Sequence, residues 1–255
     1  LGKAKDIRVL PISATDANRL VKAIHYSGKV VNNSQIHLGV FLDGKCGGAL
    51  QFGPPLDKRK LIGLVRGTKW NEFIELNRLA FADWLPRNSE SRAIGYAMRF
   101  LKKNYPWLKW VVSFADGTQC GDGTIYRASG FVLTGIKKNT EIWEAPRGSE
   151  TINSITHRKA NNVSPTGASS MKRFKEAGWF PKKGFMLRYL YFLDPAARSF
   201  LTVPEIPFSE IGHRDAGMYK GRKVERAGSI GSDVPDDQSG KGGASPTPAL
   251  QSRRS

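Results

Sequence analysis

FIELNRLAFADWLPRNSESRAIGYAMRFLKKNYPWLKWVVSFADGTQCGDGTIYRASGF, residues 73–131, is the stretch on which the reading of this chain turns. FIELNRLAFADW is β-like and breaks at Pro86-Arg87-Asn88, and SESRAIGYAMRFLKKNY has the period of an amphipathic helix. In that helix Ile94, Ala97, Met98, Leu101 and Tyr105 form one apolar stripe, and Arg92, Arg99, Lys102 and Lys103 face away. WLKWVVSFADG is a short apolar strand, and GTIYRASGF is a compact helix closed by glycine. Strand, helix, strand, helix in this order places two parallel strand ends and a helix N-terminus around one cleft. Arg78, Ser89, Ser91, Asp116 and Tyr126 fall at those ends.

Working outward, IRVLPIS predicts a first strand, followed by a helix capped by Thr15 or Asp16 with Leu20, Val21 and Ile24 on its apolar face. It stops at His25-Tyr26-Ser27-Gly28. QIHLGVFLDGKCGGALQFG predicts a hairpin turning at Asp43-Gly44. LDKRKLIGLVRGTKW, basic and with two glycines, predicts a long exposed loop. After Phe131, VLTGIKKNTEIWE predicts a strand pair, residues 145–184 a basic insertion with a short helix at SSMKRFKEAGWF, and FMLRYLYFLDP the last strand. Residues 1–206 are expected to form one α/β domain, a mixed, mostly antiparallel sheet flanked by helices, and 207–255 a flexible basic tail.

The 255 residues carry a formal net charge of +18, more than solubility requires, which makes a nucleic acid the expected partner. No apolar run is long enough to span a bilayer, and LGKAKDIRVL lacks the apolar core of a signal peptide. Cys46 and Cys120 provide neither a disulfide framework nor a thiolate zinc site, so a reducing, cytoplasmic setting is expected. The basic groups are Lys58-Arg59-Lys60, Arg66, Lys69, Lys102-Lys103, Lys137-Lys138, Lys172-Arg173 and Lys182-Lys183. With Trp70, Trp143 and Trp179 they suit a phosphate-tracking surface with stacking platforms. Trp70 and Trp179 are candidates to fill the gap left by a flipped base.

The element order resembles the GCN5-related N-acetyltransferase fold. That fold usually opens its central helix with a Q/R-x-x-G-x-G/A loop, whose bare amides hold a pyrophosphate. Here Arg87 to Arg92 contains no glycine and places Glu90 against the phosphates, which argues against acetyl-CoA as donor. A more specific resemblance lies in IRVLPISATDANRLVKAIHYSGKVVNNSQIHLGVF, ELNRLAFADWLPRNSESRAIGYAMRFLKKNYP and FADGTQCGDGTIYRASGFVLTG. These stretches resemble the Mom family of phage DNA-modification proteins. The resemblance implies conversion of adenine in double-stranded DNA to a carbamoylmethyl-adenine at the N6 amine, in the host cytoplasm, shielding phage DNA from restriction. It also implies roles for His25, Tyr26, Arg78, Ser91 and Tyr126 and a bound iron ion, for which the sequence assigns no ligands. Conventional acyl-CoA N-acyltransfer and noncatalytic DNA binding are the alternatives.

Each of these residues also has a structural reading. His25 can serve a helix end, and Arg78 can pair with Glu75, Asp83 or Asp116. Ser89 can cap the helix, Asp116 can hold a turn, and Tyr126 can pack in the core. Ser91, in the first helical turn, can bind an anionic donor or orient the adenine. Functionally, Asp116 is the candidate base for the amine, Tyr126 the candidate acid and Arg78 the candidate anion clamp. His37, His157 and His213 are weaker metal candidates. The missing acyl-CoA loop and the excess basic charge make a charged tRNA the candidate donor.

Overall fold

β4 (Phe73–Phe81) and β5 (Trp110–Asp116) are joined by α3 (Ser89–Asn104) and run parallel, as the central stretch predicts. They pair only from Phe73↔Trp110 to Glu75↔Val112 and part beyond that point, which opens the cleft. These residues come from a computed structural model describing residues 3–148, 150–154, 168–219 and 222–223, all within one compact unit, Leu1–Glu225. Upstream lie β1 (Arg8–Pro11), α1 (Ala14–Ile24), β2 (Ile36–Leu42), β3 (Lys45–Gly53) and α2 (Lys58–Ile62). Downstream come α4 (Thr124–Ala128), β6 (Val132–Lys138), β7 (Ile142–Glu144), β8 (Thr151–Asn153), α5 (Ala168–Glu176), β9 (Phe180–Pro181) and β10 (Phe185–Phe192). A 3-10 turn (Pro195–Phe200), α6 (Ser209–His213), β11 (Met218–Tyr219) and β12 (Arg222–Lys223) complete the described chain. The main sheet has the order β1-β2-β3-β4-β5-β10-β6, with every pair antiparallel except β4–β5. The expected mixed, mostly antiparallel sheet flanked by helices is therefore present.

Alternation along the strands divides the core between two faces. On one face Ile74, Leu76 and Val111 pack with Ala93, Ile94, Ala97, Met98 and Leu101 of α3 and Tyr126 of α4. Burying each of the larger side chains stabilises the fold by about 1.5–3 kcal/mol, so this stripe fixes α3 across the sheet. On the other face Phe73 and Trp110 stack with ring centroids 4.2 Å apart, covered by Leu64, Val65 and Ala197. The Trp110 Nε1–H donates to Thr68 Oγ1 at 3.0 Å, which satisfies its one buried donor.

Several expectations are corrected here. Residues 56–70 do not form a simple exposed loop. Asp57 caps α2, and Leu64 and Val65 are buried because the Trp110 face needs a lid. Ser13 rather than Thr15 or Asp16 caps α1, accepting the Asp16 amide. Ser89 does not cap α3: its hydroxyl donates back to Pro86 O, and Asn88 takes the left-handed conformation at φ 70°. β6 and β7 do not pair with one another. β10 lies beside β6, whereas β7 joins β8 and β9 in a separate three-stranded sheet. The boundary expected at 206/207 falls inside the compact unit, since Ile211 and Ala216 are buried in the main core. The Asp43-Gly44 hairpin forms as predicted, with φ 49° and 77° at its two central residues.

Candidate active site at the parting of the central strands

A one-residue shift in β4 builds this site. Gln51 faces Arg78 and Phe52 faces Leu76, so Asn77 is left over as a bulge. Without it, alternation would turn Arg78 toward α3 with Leu76; with it, Glu75 and Arg78 share the α1 face. Arg78 is then held by backbone, its Nε–H donating to Lys29 O at 2.7 Å and an Nη1–H to Asn77 O at 2.6 Å. Among the described residues no carboxylate reaches ion-pair distance from it, so the expected structural pairing with Glu75, Asp83 or Asp116 does not form. The guanidinium is a fixed cation with donors to spare.

Glu75 is the last residue of β4 paired to β5, at the apex of the cleft. Its side chain is partly buried and has no hydrogen-bond partner among the described residues. Desolvation pushes its carboxyl up to about 7, against a smaller pull downward from the Arg78 charge. On the β5 side, Ser113 donates to Leu76 O at 2.9 Å across the parting strands and also meets the Tyr126 hydroxyl. Tyr126 is buried among Phe131 and Tyr189, with centroids 5.4 and 5.3 Å away. Burial pushes its phenol up to about 12, so it keeps its proton and can donate it in a hydrogen bond. Gly123 sets the start of α4 at φ 82°, and a Cβ there would lie 2.5 Å from the Tyr189 ring. Glycine is thus required where Tyr126 is positioned.

From the α1 side come His25 and Tyr26, with ring centroids 4.3 Å apart. Ser27 places both its amide (3.1 Å) and its hydroxyl (2.8 Å) on His25 Nδ1. Because an amide can only donate, Nδ1 accepts and the neutral ring carries its proton on Nε2. Burial, aided by the Arg78 charge, lowers the imidazole to about 4. The unfolded chain therefore binds a proton that the folded chain refuses, and this stability is complete above pH 6.5 and is lost as pH falls toward 4. Thermal melts should show the parent losing Tm relative to His25→Gln across that window and no such divergence above pH 7.

The Tyr26 hydroxyl reaches Cys120, and both groups are pushed up, chiefly by desolvation, with Asp116 adding to each. Asp116 itself is committed to a turn. Its Oδ1 accepts the Thr118 amide at 3.0 Å and the Asn139 side chain at 3.1 Å, and its carbonyl accepts Cys120 Sγ at 3.1 Å. The structure thus joins His25, Tyr26, Arg78, Asp116 and Tyr126 in one cluster and adds Glu75, Ser113 and Cys120. Ser91 lies apart: it lines a second cavity of about 400 Å³ with Lys5, Asn88, Arg92 and Arg99 on the outer side of α3. Glu75 had a signal in the sequence, a lone carboxylate in a strand apolar on both sides; Cys120 had none.

Among the described residues no group of three or more His, Cys, Asp or Glu is placed to hold a metal, so the structure offers the implied iron ion no such ligand set there. His157 lies outside the described residues. No helix among them is long and apolar enough to cross a membrane.

Of the basic side chains, Arg59, Lys60, Arg66, Lys69, Lys102, Lys103, Lys137, Lys138, Lys172, Arg173 and Lys183 are exposed. Lys60 is paired with Asp57, Lys172 with Glu176 and the partly buried Lys182 with Glu144. Trp143 is buried and Trp179 packs edge-on against Phe174 at 5.0 Å, so neither is a free stacking platform. Trp70 is half-exposed.

Solved acetyltransferase structures align with this chain at low similarity. Spermidine/spermine N-acetyltransferase SpeG from Vibrio cholerae is 9% identical, with 78% of this chain and 99% of that one covered and a TM-score of 0.43. NAA60 of Arabidopsis thaliana is 12% identical, with 73% and 97% covered and a TM-score of 0.44. Among curated proteins, the methylcarbamoylase Mom of Escherichia phage Mu is 42% identical over 138 residues, which span 54% of this chain and 57% of that protein. The model of the Mom protein family matches residues 6–210. The bulge-borne arginine, the paired His25-Tyr26 and the buried Tyr126 all lie within that match, and the chain belongs to the Mom protein family.

Proposed function

We propose that this chain is a transferase that modifies DNA, adding a carbamoylmethyl group to the N6 amine of adenine. In a phage-infected cell this would shield phage DNA from restriction in the host cytoplasm. The observation that carries the reading is the placement of Glu75, its carboxyl pushed up to about 7, on the same sheet face as a backbone-anchored Arg78 in the cleft between the parted strands. The likeness to a methylcarbamoylase and the net charge of +18 support it.

An exocyclic amine conjugated to a purine ring is a poor nucleophile, so transfer calls for a base near the operating pH. Glu75 takes the amine proton as the nitrogen bonds to the glycyl carbonyl carbon of the charged donor and the ester oxygen leaves with that proton; exchange of the two nitrogens between the glycyl carbons then gives the isomeric carbamoylmethyl group. Arg78 holds the anionic portion of donor or DNA, and Tyr126 donates to the leaving group. Tyr26 and neutral His25, which offers Nε2–H, orient the base from the α1 side. Asp116 acts through the turn that places Cys120 and Tyr126, while Ser91 and its cavity stand ready for a more distant part of the donor. An adenine in a duplex reaches this cleft by flipping. The basic side chains track the phosphates of double-stranded DNA.

α3 begins without glycine, with Asn88 left-handed and Glu90 in its first turn, which disfavours the pyrophosphate of acetyl-CoA. A charged tRNA is the proposed donor, and reconstitution that runs to completion after ribonuclease treatment would exclude it. Nucleoside mass spectrometry of DNA from cells expressing the chain tests the whole reading: a carbamoylmethyl-adenosine supports it. Unmodified adenine beside an acylated protein or amine would favour the conventional N-acyltransferase. No product of either kind would leave a noncatalytic DNA-binding protein.

A further inference from the structure

At the end of β4 and β5 opposite the cleft, a cavity of about 540 Å³ is lined by Lys58, Trp70, Tyr105 and Trp107, with Gln35 and Asn71 at its rim. Its volume lies in the range of small-ligand pockets, roughly 300–1,000 Å³. Trp70 and Trp107 are 52% and 55% exposed, and Tyr105 braces Trp107 edge-on at 5.5 Å. Lys58 Nζ lies 5.0 Å from the centroids of both Trp70 and Phe73, and no carboxylate pairs with it among the described residues. The side-chain amides of Gln35 and Asn71 have no hydrogen-bond partner among those residues. Lys69 next to Trp70, and Lys102 and Lys103 in the last turn of α3, are exposed.

The combination selects one kind of ligand. Flat aromatic faces suit a flat ring, free amides can both donate to and accept from a ring edge, and the ammonium suits a phosphate beside it. The same ammonium repels the quaternary cations that aromatic cages otherwise take. We infer that this cavity receives an unpaired nucleobase of a DNA strand. Its ring stacks on Trp107 and Trp70, its edge meets Gln35 and Asn71, and its phosphate meets Lys58. Phe73 and Arg78 are five positions apart on one strand, about 16.5 Å at 3.3 Å per residue, so this base is not the one in the cleft.

Anisotropy titration of the full chain with a labelled DNA single strand of about 12 nucleotides, against an abasic strand of the same length, tests the inference. The base-bearing strand should bind about 5- to 150-fold more tightly. Trp107→Ala or Trp70→Ala should reduce that ratio sharply without changing abasic binding or the salt slope. Trp107→Phe, which keeps a stacking face, should restore much of it even if Trp107→Ala lowers Tm. Lys58→Ala should weaken both strands and lower the salt slope by about one. Trp84→Ala, removing an exposed tryptophan elsewhere, should change nothing. Equal binding of the two strands, an equal effect of Trp84→Ala, or an RNA strand of the same sequence binding more tightly than DNA would overturn the assignment. The readout is binding alone, so it stands or falls independently of DNA modification.

Discussion

Replacing Arg78 by alanine is expected to lower DNA modification by about 100- to 1,000-fold, the size of effect that follows loss of one preorganised charged donor. Its Nε–H and Nη1–H are anchored on Lys29 O and Asn77 O, so the remaining N–H groups face the cleft already oriented. Lysine preserves the charge but cannot span both carbonyls as a planar fork, and Arg78→Lys should recover only a small part of the rate. Arg78 also lowers His25 and Glu75 electrostatically, so in the alanine variant both groups should titrate higher. A purely structural arginine would lower yield and stability without moving that profile. Unchanged modification in a folded Arg78→Ala protein would remove the residue from the mechanism.

Replacing Glu75 by glutamine is expected to cost about 100- to 10,000-fold in rate, the usual contribution of a positioned base. The pH dependence gives the more selective test. A base titrating near 7 makes the parent's rate rise with pH through about 7 and then level, and the glutamine variant should lose that limb. Stability should run the other way. Because the folded-state value is raised from 4.5, the folded chain holds a proton that the unfolded chain releases, so stability falls as pH climbs from 4.5 through 7. Glu75→Gln should abolish this loss and melt higher than the parent at pH 8, as expected of a carboxylate held for function rather than for folding.

The scaffold was legible because its signals are periodic and local. The stripe Ile94, Ala97, Met98 and Leu101 can face only one way on a helix, and Asp43-Gly44 flanked by strands can hardly be other than a hairpin. Three things were not. The Asn77 bulge is a relation between β4 and β3, and no property of FIELNRLAF alone shows which residue is skipped. Leu64 and Val65 sit within a basic, glycine-containing run, and only the need to cover the Trp110–Phe73 stack on that side of the sheet explains their burial. Placing β10 between β5 and β6 pairs it with residues 70 to 82 and 47 to 58 positions earlier, which adjacency along the chain would not suggest.

The site was half legible. His25, Tyr26, Arg78, Asp116 and Tyr126 gather as expected, but their roles differ because a carboxylate's chemistry depends on its partners. Asp116 has two donors on one oxygen and holds a turn; Glu75 has none and keeps its titration near 7. The element order and the resemblance both placed Ser91 at the cleft. Its place in the first turn of α3 was correct, but that turn opens onto a different cavity.

Mass spectrometry of nucleosides from plasmid DNA, isolated from cells expressing either the parent chain or Glu75→Gln, tests the central claim most directly. The account predicts an adenosine derivative in the parent sample heavier by one carbamoylmethyl group in place of a hydrogen, and almost none of it with Glu75→Gln. Unmodified adenosine throughout the parent sample, with the chain folded and abundant, would contradict it.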